Sequence, residues 1–82
     1  MKYWKHKKTE NIYKIKDFVL VEHPDTHEWV QGIVYSTVYA KSCTDPSRYV
    51  EAPDSIKNRS FVRTQERFMD RFEQIDEEDI KL

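Results

Sequence analysis

A small, mostly β domain is what this sequence predicts: a strongly bent, SH3-like barrel of about five strands, with one short helical turn before the last strand. Three observations lead there. Two long runs, Ile12 to Glu22 and Trp29 to Ala40, are rich in β-branched and aromatic residues, the types that fit a pleated, half-buried surface. The stretch Ser60 to Ile75 reads as strand, helical turn and strand within sixteen residues. A chain of 82 residues buries only about 60% of its unfolded surface, so its core has to be compact and aromatic-rich, and the two Trp, five Tyr and four Phe answer that need. An open α+β sheet is the alternative.

Tyr3-Trp4-Lys5-His6 is a short aromatic strand, and Lys7 to Asn11 is a polar cluster with the turn-favouring Thr9 and Asn11, which together make the first half of a hairpin. Ile12 to Glu22 continues it, but Lys16-Asp17 interrupts the apolar pattern, and a bend or bulge is expected there. His23 to Glu28 places Pro24 at the start of a tight turn. In the next run Gly32, the only glycine of the chain, predicts a kink or a close backbone approach. Lys41 to Asn58 holds Pro46, Pro53 and several Ser, Asp and Asn residues, and reads as one long loop.

After it, Ser60 to Arg63 alternates polar and apolar, Thr64 caps a short helix with Gln65 and Glu66 in its first turn, and Phe68 and Met69 face inward. Phe72 to Ile75 alternates again as a last strand. Residues 1–75 thus form one domain, and 76–82 form an acidic tail with little to bury.

Charge is balanced overall, with a net of −1, so no global field announces a nucleic-acid or membrane partner. Locally it is lopsided. Residues 1–16 carry six lysines against Glu10, whereas residues 70–82 carry six acids against Arg71 and Lys81. A single cysteine, Cys43, cannot staple the domain, which suits a reducing, cytoplasmic setting. No apolar run approaches the length of about 20 residues that spans a bilayer.

Chemistry-bearing residues are sparse. His23, Asp25, His27 and Glu28 place two imidazoles and two carboxylates within six residues, but a turn rarely aims all of them at one point, so no metal site is assigned. Nor does a nucleophile-and-base signature surround Cys43 or any serine. Arg63 stands two residues from Phe61; if Val62 points to the core, Arg63 and Phe61 share the opposite face, where a guanidinium can grip a phosphate while a ring stacks on a base. Its structural alternative is an ion pair with Glu66 or Glu73. His6, Lys7 and Lys8 form a cationic hairpin within reach, and the aromatics, Tyr35 among them, are too many to fit inside a barrel this small. The candidate ligand-binding set is therefore His6, Lys7, Lys8, Tyr35, Phe61 and Arg63, with no cofactor and no catalytic residue.

Trp4-Lys-His6-Lys7-Lys8-Thr9-Glu10-Asn11-Ile-Tyr13 at the start, and Phe61-Val62-Arg63-Thr64, Phe68 and Asp70-Arg71-Phe72-Glu73 at the end, resemble a small bacterial and phage family known as domain of unknown function 1653. Ile33-Val34-Tyr35 matches its middle. Glu10 stands where that family has glycine, so this turn differs or carries strain, and Phe61 and Thr64 replace Trp and Pro. The resemblance implies the fold and a phage or mobile-element setting. The expected function is non-catalytic capture of a small anionic, nucleotide-like ligand, such as a host immune signal, with sites between subunits of a homo-oligomer. Alternatives are a protein-interaction module acting on a host or phage protein, and a nucleic-acid-binding small barrel.

Overall fold

The two runs richest in β-branched and aromatic residues pair with each other as the longest ladder of the chain, β2 (Ile12–Glu22) against β3 (Trp29–Lys41). The computed structural model describes residues 2–80, and the remaining elements are β1 (Lys2–His6), β4 (Tyr49–Glu51), α1 (Asp54–Lys57), β5 (Phe61–Thr64), α2 (Gln65–Arg71), β6 (Phe72–Asp76) and a 3₁₀ turn over Glu77–Asp79. All pairings are antiparallel, in the order β4-β3-β2-β1-β6, and β5 adds to β3 alongside residues 32–35 while β4 pairs residues 39–41. No helix among the described residues is long and apolar enough to cross a membrane.

The mostly β reading therefore holds, but the SH3-like barrel does not close: six strands form one sheet, with β5 on β3 and β6 on β1 and no ladder between them. A helix takes the place of that ladder. On a flat sheet β5 and β6 would stand four strand spacings apart, about 19 Å. The seven residues of α2 rise only about 10 Å and join both strands without a loop. The sheet must curl to let α2 bridge its edges, and two register shifts, at Ile12/Tyr13 and at Ile15/Asp17, supply the bending. The second is the bulge expected at Lys16. Gly32 is likewise where backbones and side chains crowd: a Cβ there would lie 2.9 Å from Val21 Cγ1 and 3.4 Å from the Arg63 carbonyl oxygen.

Curling the sheet creates two small cores, one on each face. On the face covered by α2, Ile33, Tyr35, Phe68 and Phe72 are buried, with Trp4, Tyr13 and Ile15 around them. Phe68 and Phe72 stack in parallel at 4.3 Å. The other face holds Tyr3, Ile12 and Ile80, flanked by Val38, Tyr39, Tyr49 and Ile75.

Several expectations are corrected. Thr64 does cap α2, its Oγ1 accepting from the Arg67 N–H at 3.3 Å, but only Phe68 turns inward; Met69 is exposed. The segment 41–58 is not one loop, because β4 pairs β3 and α1 follows it. Of the expected acidic tail, Asp76 closes β6, Glu77–Asp79 form the 3₁₀ turn and Ile80 is buried, whereas Lys81 and Leu82 lie outside the described residues. Glu10 adopts φ 62°, the left-handed conformation glycine enters freely, and its carboxylate pairs with Lys41.

Candidate functional site

Tyr35 is the anchor of the site. Its ring is buried among Tyr13, Phe68 and Phe72 in edge-to-face contacts, and it stacks on Phe61 with centroids 5.6 Å apart. The register that pairs Tyr35 with Phe61 also pairs Ile33 with Arg63, so Phe61 and Arg63 rise on the α2 side of the sheet. Arg63 Nε donates to the Tyr35 hydroxyl oxygen at 2.7 Å. That bond fixes one edge of the guanidinium and leaves its terminal N–H groups available, with no carboxylate within 4.0 Å among the described residues.

Around this unit runs a pocket of about 390 Å³, lined among others by Tyr35, Phe61, Val62, Arg63, Arg67 and Glu22. Since Val62 and Phe61 stand on opposite faces of β5, the pocket follows the open edge of that strand. Glu22 is its acidic member, and its Oε1 lies 2.9 Å from His27 Nδ1.

His6 borders the same region. It ends β1 opposite Phe72, with its ring edge-on to that phenyl at 4.9 Å. Its Nδ1 accepts from the backbone N–H groups of Lys8 at 3.2 Å and Thr9 at 3.3 Å, which requires the tautomer carrying its proton on Nε2. Burial, and after it the positive charges of Arg63, Arg71 and Lys8, hold the imidazole below its ordinary pKa of 6.5. His6 is thus a neutral group set among cations.

Of the six residues singled out in the sequence, Tyr35, Phe61 and Arg63 form one bonded unit; His6 stands close enough to feel the charge of Arg63, and Lys8 acts on His6. Lys7 does not join them: its backbone N–H donates to the Arg71 carbonyl at 3.0 Å and its side chain is exposed. Val62 does not point to a core either. It is 52% exposed, and Arg63 shares its face with buried Ile33, the reverse of the orientation expected. An edge strand has a free side, so alternation alone does not say which face is covered. Neither proposed ion pair forms, since Glu73 is held by Lys5 at 3.1 Å and Glu66 is not paired with Arg63.

Sequence reasoning overlooked Arg67 and Arg71. The spacing of Arg67 and Arg71 is the available signal, because residues four apart on a helix stand on one side of it, and Arg63 lies at the end of the strand that leads into that helix. Arg67 lines the pocket and Arg71 lies beside His6, with its Nε 3.7 Å from Asp70 Oδ2.

The turn at residues 23–28 is built from its own hydrogen bonds. His23 Nδ1 accepts from the N–H groups of Asp25 at 3.1 Å and Thr26 at 3.4 Å, and His27 is engaged with Glu22. Among the described residues no three His, Cys, Asp or Glu side chains converge as a metal site would require. No family model, curated protein or solved structure matches the chain.

Proposed function

We propose that this protein is a non-catalytic binder of a small anionic ligand bearing an aromatic base, with nucleotides as the ligand class. One observation carries the reading: a guanidinium oriented by a buried tyrosine, with no carboxylate within 4.0 Å among the described residues, beside a ring that is 40% exposed. An arginine whose Nε is already engaged presents its terminal nitrogens as a fixed donor pair, the geometry that matches two phosphate oxygens. Phe61 has one face against Tyr35 and offers the other to a base. Arg67 adds a second cation on the same pocket, and the Nε2–H of neutral His6 adds a donor nearby.

Cations, donors and rings outnumber the one carboxylate of the pocket, Glu22, which is engaged with His27, and that balance favours recognition of an anion. In the phage or mobile-element setting that the resemblance to domain of unknown function 1653 suggests, the role we assign is sequestration of a host nucleotide signal in the cytoplasm.

Calorimetric titration tests the proposal with nucleoside mono- and diphosphates, the parent nucleoside as the phosphate-free control, and a short single-stranded oligonucleotide to separate nucleotide from nucleic-acid binding. Arg63→Ala should weaken nucleotide binding about 10- to 100-fold, because a bidentate charge-assisted contact contributes about 1.5–3 kcal/mol. Arg63→Lys should recover only part of it, lacking the planar fork. Melting curves run alongside, since Arg63→Ala also leaves the buried Tyr35 hydroxyl without its donor. Unchanged affinity in a folded Arg63→Ala protein removes Arg63 from the site.

A further inference from the structure

β1 pairs with β2 around Ile12 and Tyr13, and at five residues it is too short to follow β2 further. From Lys16 to Glu22 the outer edge of β2 has no strand against it among the described residues. Proteins usually blunt such edges with charge, proline or a cover, because unpaired N–H and C=O groups recruit another strand. This one carries a single charge-based blunting, the Asp17 carboxylate that accepts from the Phe18 N–H at 2.8 Å and would have to give way to a partner strand. It is otherwise apolar in its centre, Phe18-Val19-Leu20-Val21, with Phe18 54% and Leu20 69% exposed. Trp29, across the ladder from Glu22 on the same face, is 68% exposed. The radius of gyration is 13.7 Å, against about 11.7 Å for a compact chain of this length, so the hairpin stands out from the body.

We propose that this edge pairs with the same edge of a second copy, making an antiparallel β2–β2 ladder across a two-fold axis at Val19. The sequence of the edge is complementary to itself in that register. Phe18 falls across from Leu20 of the second copy, and Lys16 across from its Glu22, so apolar meets apolar and cation meets anion at both ends of the ladder. Moving the centre by half a residue, to between Val19 and Leu20, would set Asp17 against Glu22 and repel. Lys16 can take that role, since among the described residues its ammonium is held only by the Ser60 hydroxyl, at 3.3 Å. Glu22, bonded to His27, sits on an exposed turn-proximal position and keeps a second carboxylate oxygen. A closed symmetric dimer of this kind satisfies the edge in both copies at once, whereas a foreign peptide would have to match a strand already matched to itself.

Sedimentation equilibrium of the full chain under reducing conditions tests the proposal. The wild type should be a dimer at micromolar concentrations, and Leu20→Lys should raise its dissociation constant at least about 100-fold while leaving the circular-dichroism spectrum unchanged, since Leu20 is exposed within one copy. Lys16→Glu and Glu22→Lys should each weaken the dimer by about tenfold, and the two together in one chain should restore it, as opposite charges again face each other across the axis. A monomeric wild type overturns the proposal. So does a dimer indifferent to Leu20→Lys, or a double charge reversal no better than the single ones.

Discussion

Protonating His6 would convert its Nδ1 from an acceptor of two backbone N–H groups into a donor facing them, and would add a charge beside Arg63, Arg71 and Lys8. The native state therefore resists a proton that the unfolded chain takes up near pH 6.5. Stability is fully present above that value and declines as pH falls through it toward the lower native pKa. His6→Asn retains a side-chain oxygen that can accept from the turn but cannot titrate. Denaturant midpoints measured between neutral and mildly acidic pH should fall more steeply for wild type than for His6→Asn; parallel slopes would show that His6 contributes nothing to the pH dependence. None of this was legible in the sequence, where His6 reads as one more cation of a basic hairpin. The reversal arises from Phe72 and Arg63, more than fifty residues away, which bury and surround the ring.

Among the elements, β3 depends most on a single small residue. Gly32 lets Val21 lean across the ladder, and a methyl group at that position would press on Val21 Cγ1 at 2.9 Å. Gly32→Ala should cost about 1–3 kcal/mol, the usual range for overpacking, and Val21→Ala in the same chain should remove most of that cost. Chemical denaturation of the two single variants and the double variant gives the coupling, and additive losses would mean that the backbone at Arg63, not Val21, sets the limit. The lone glycine in a strand-forming run announced such a contact, as Lys16-Asp17 announced the bulge and Thr64 the start of α2. What a cap does not announce is the rotation of its helix, so Met69 reads as inward although Phe68 alone is buried. β4 stayed hidden for a related reason: Tyr49–Glu51 is three residues long, and it becomes a strand only because Tyr39–Lys41 lies open beside it. The site was legible as residue types. The bond between Arg63 and Tyr35 depends on a register between strands 28 positions apart, which no local pattern encodes.

For the molecule as a whole, one curled sheet separates two cores, and each is sealed by a single residue from outside the sheet, Phe68 on one face and Ile80 on the other. Phe68→Leu and Ile80→Ala should each destabilise by about 1–3 kcal/mol. Their effects should add to within about 0.5 kcal/mol, as expected of sites that share no partners; a larger coupling would mean that the sheet transmits strain between its faces. The β1–β6 ladder has a different whole-molecule consequence. Lys2 stands across from Asp76 and His6 across from Phe72, so the two ends of the described chain leave the ladder on the same side. Tension applied through those ends pulls first on Ile80 and the 3₁₀ turn, then loads the Lys2–Asp76 pair, then Tyr3–Ile75, and so on toward His6, peeling the strands like a zipper instead of shearing all their hydrogen bonds together. Pulled this way the protein is mechanically soft, and the first thing it gives up is the cover over the core that holds Tyr3, Ile12 and Ile80.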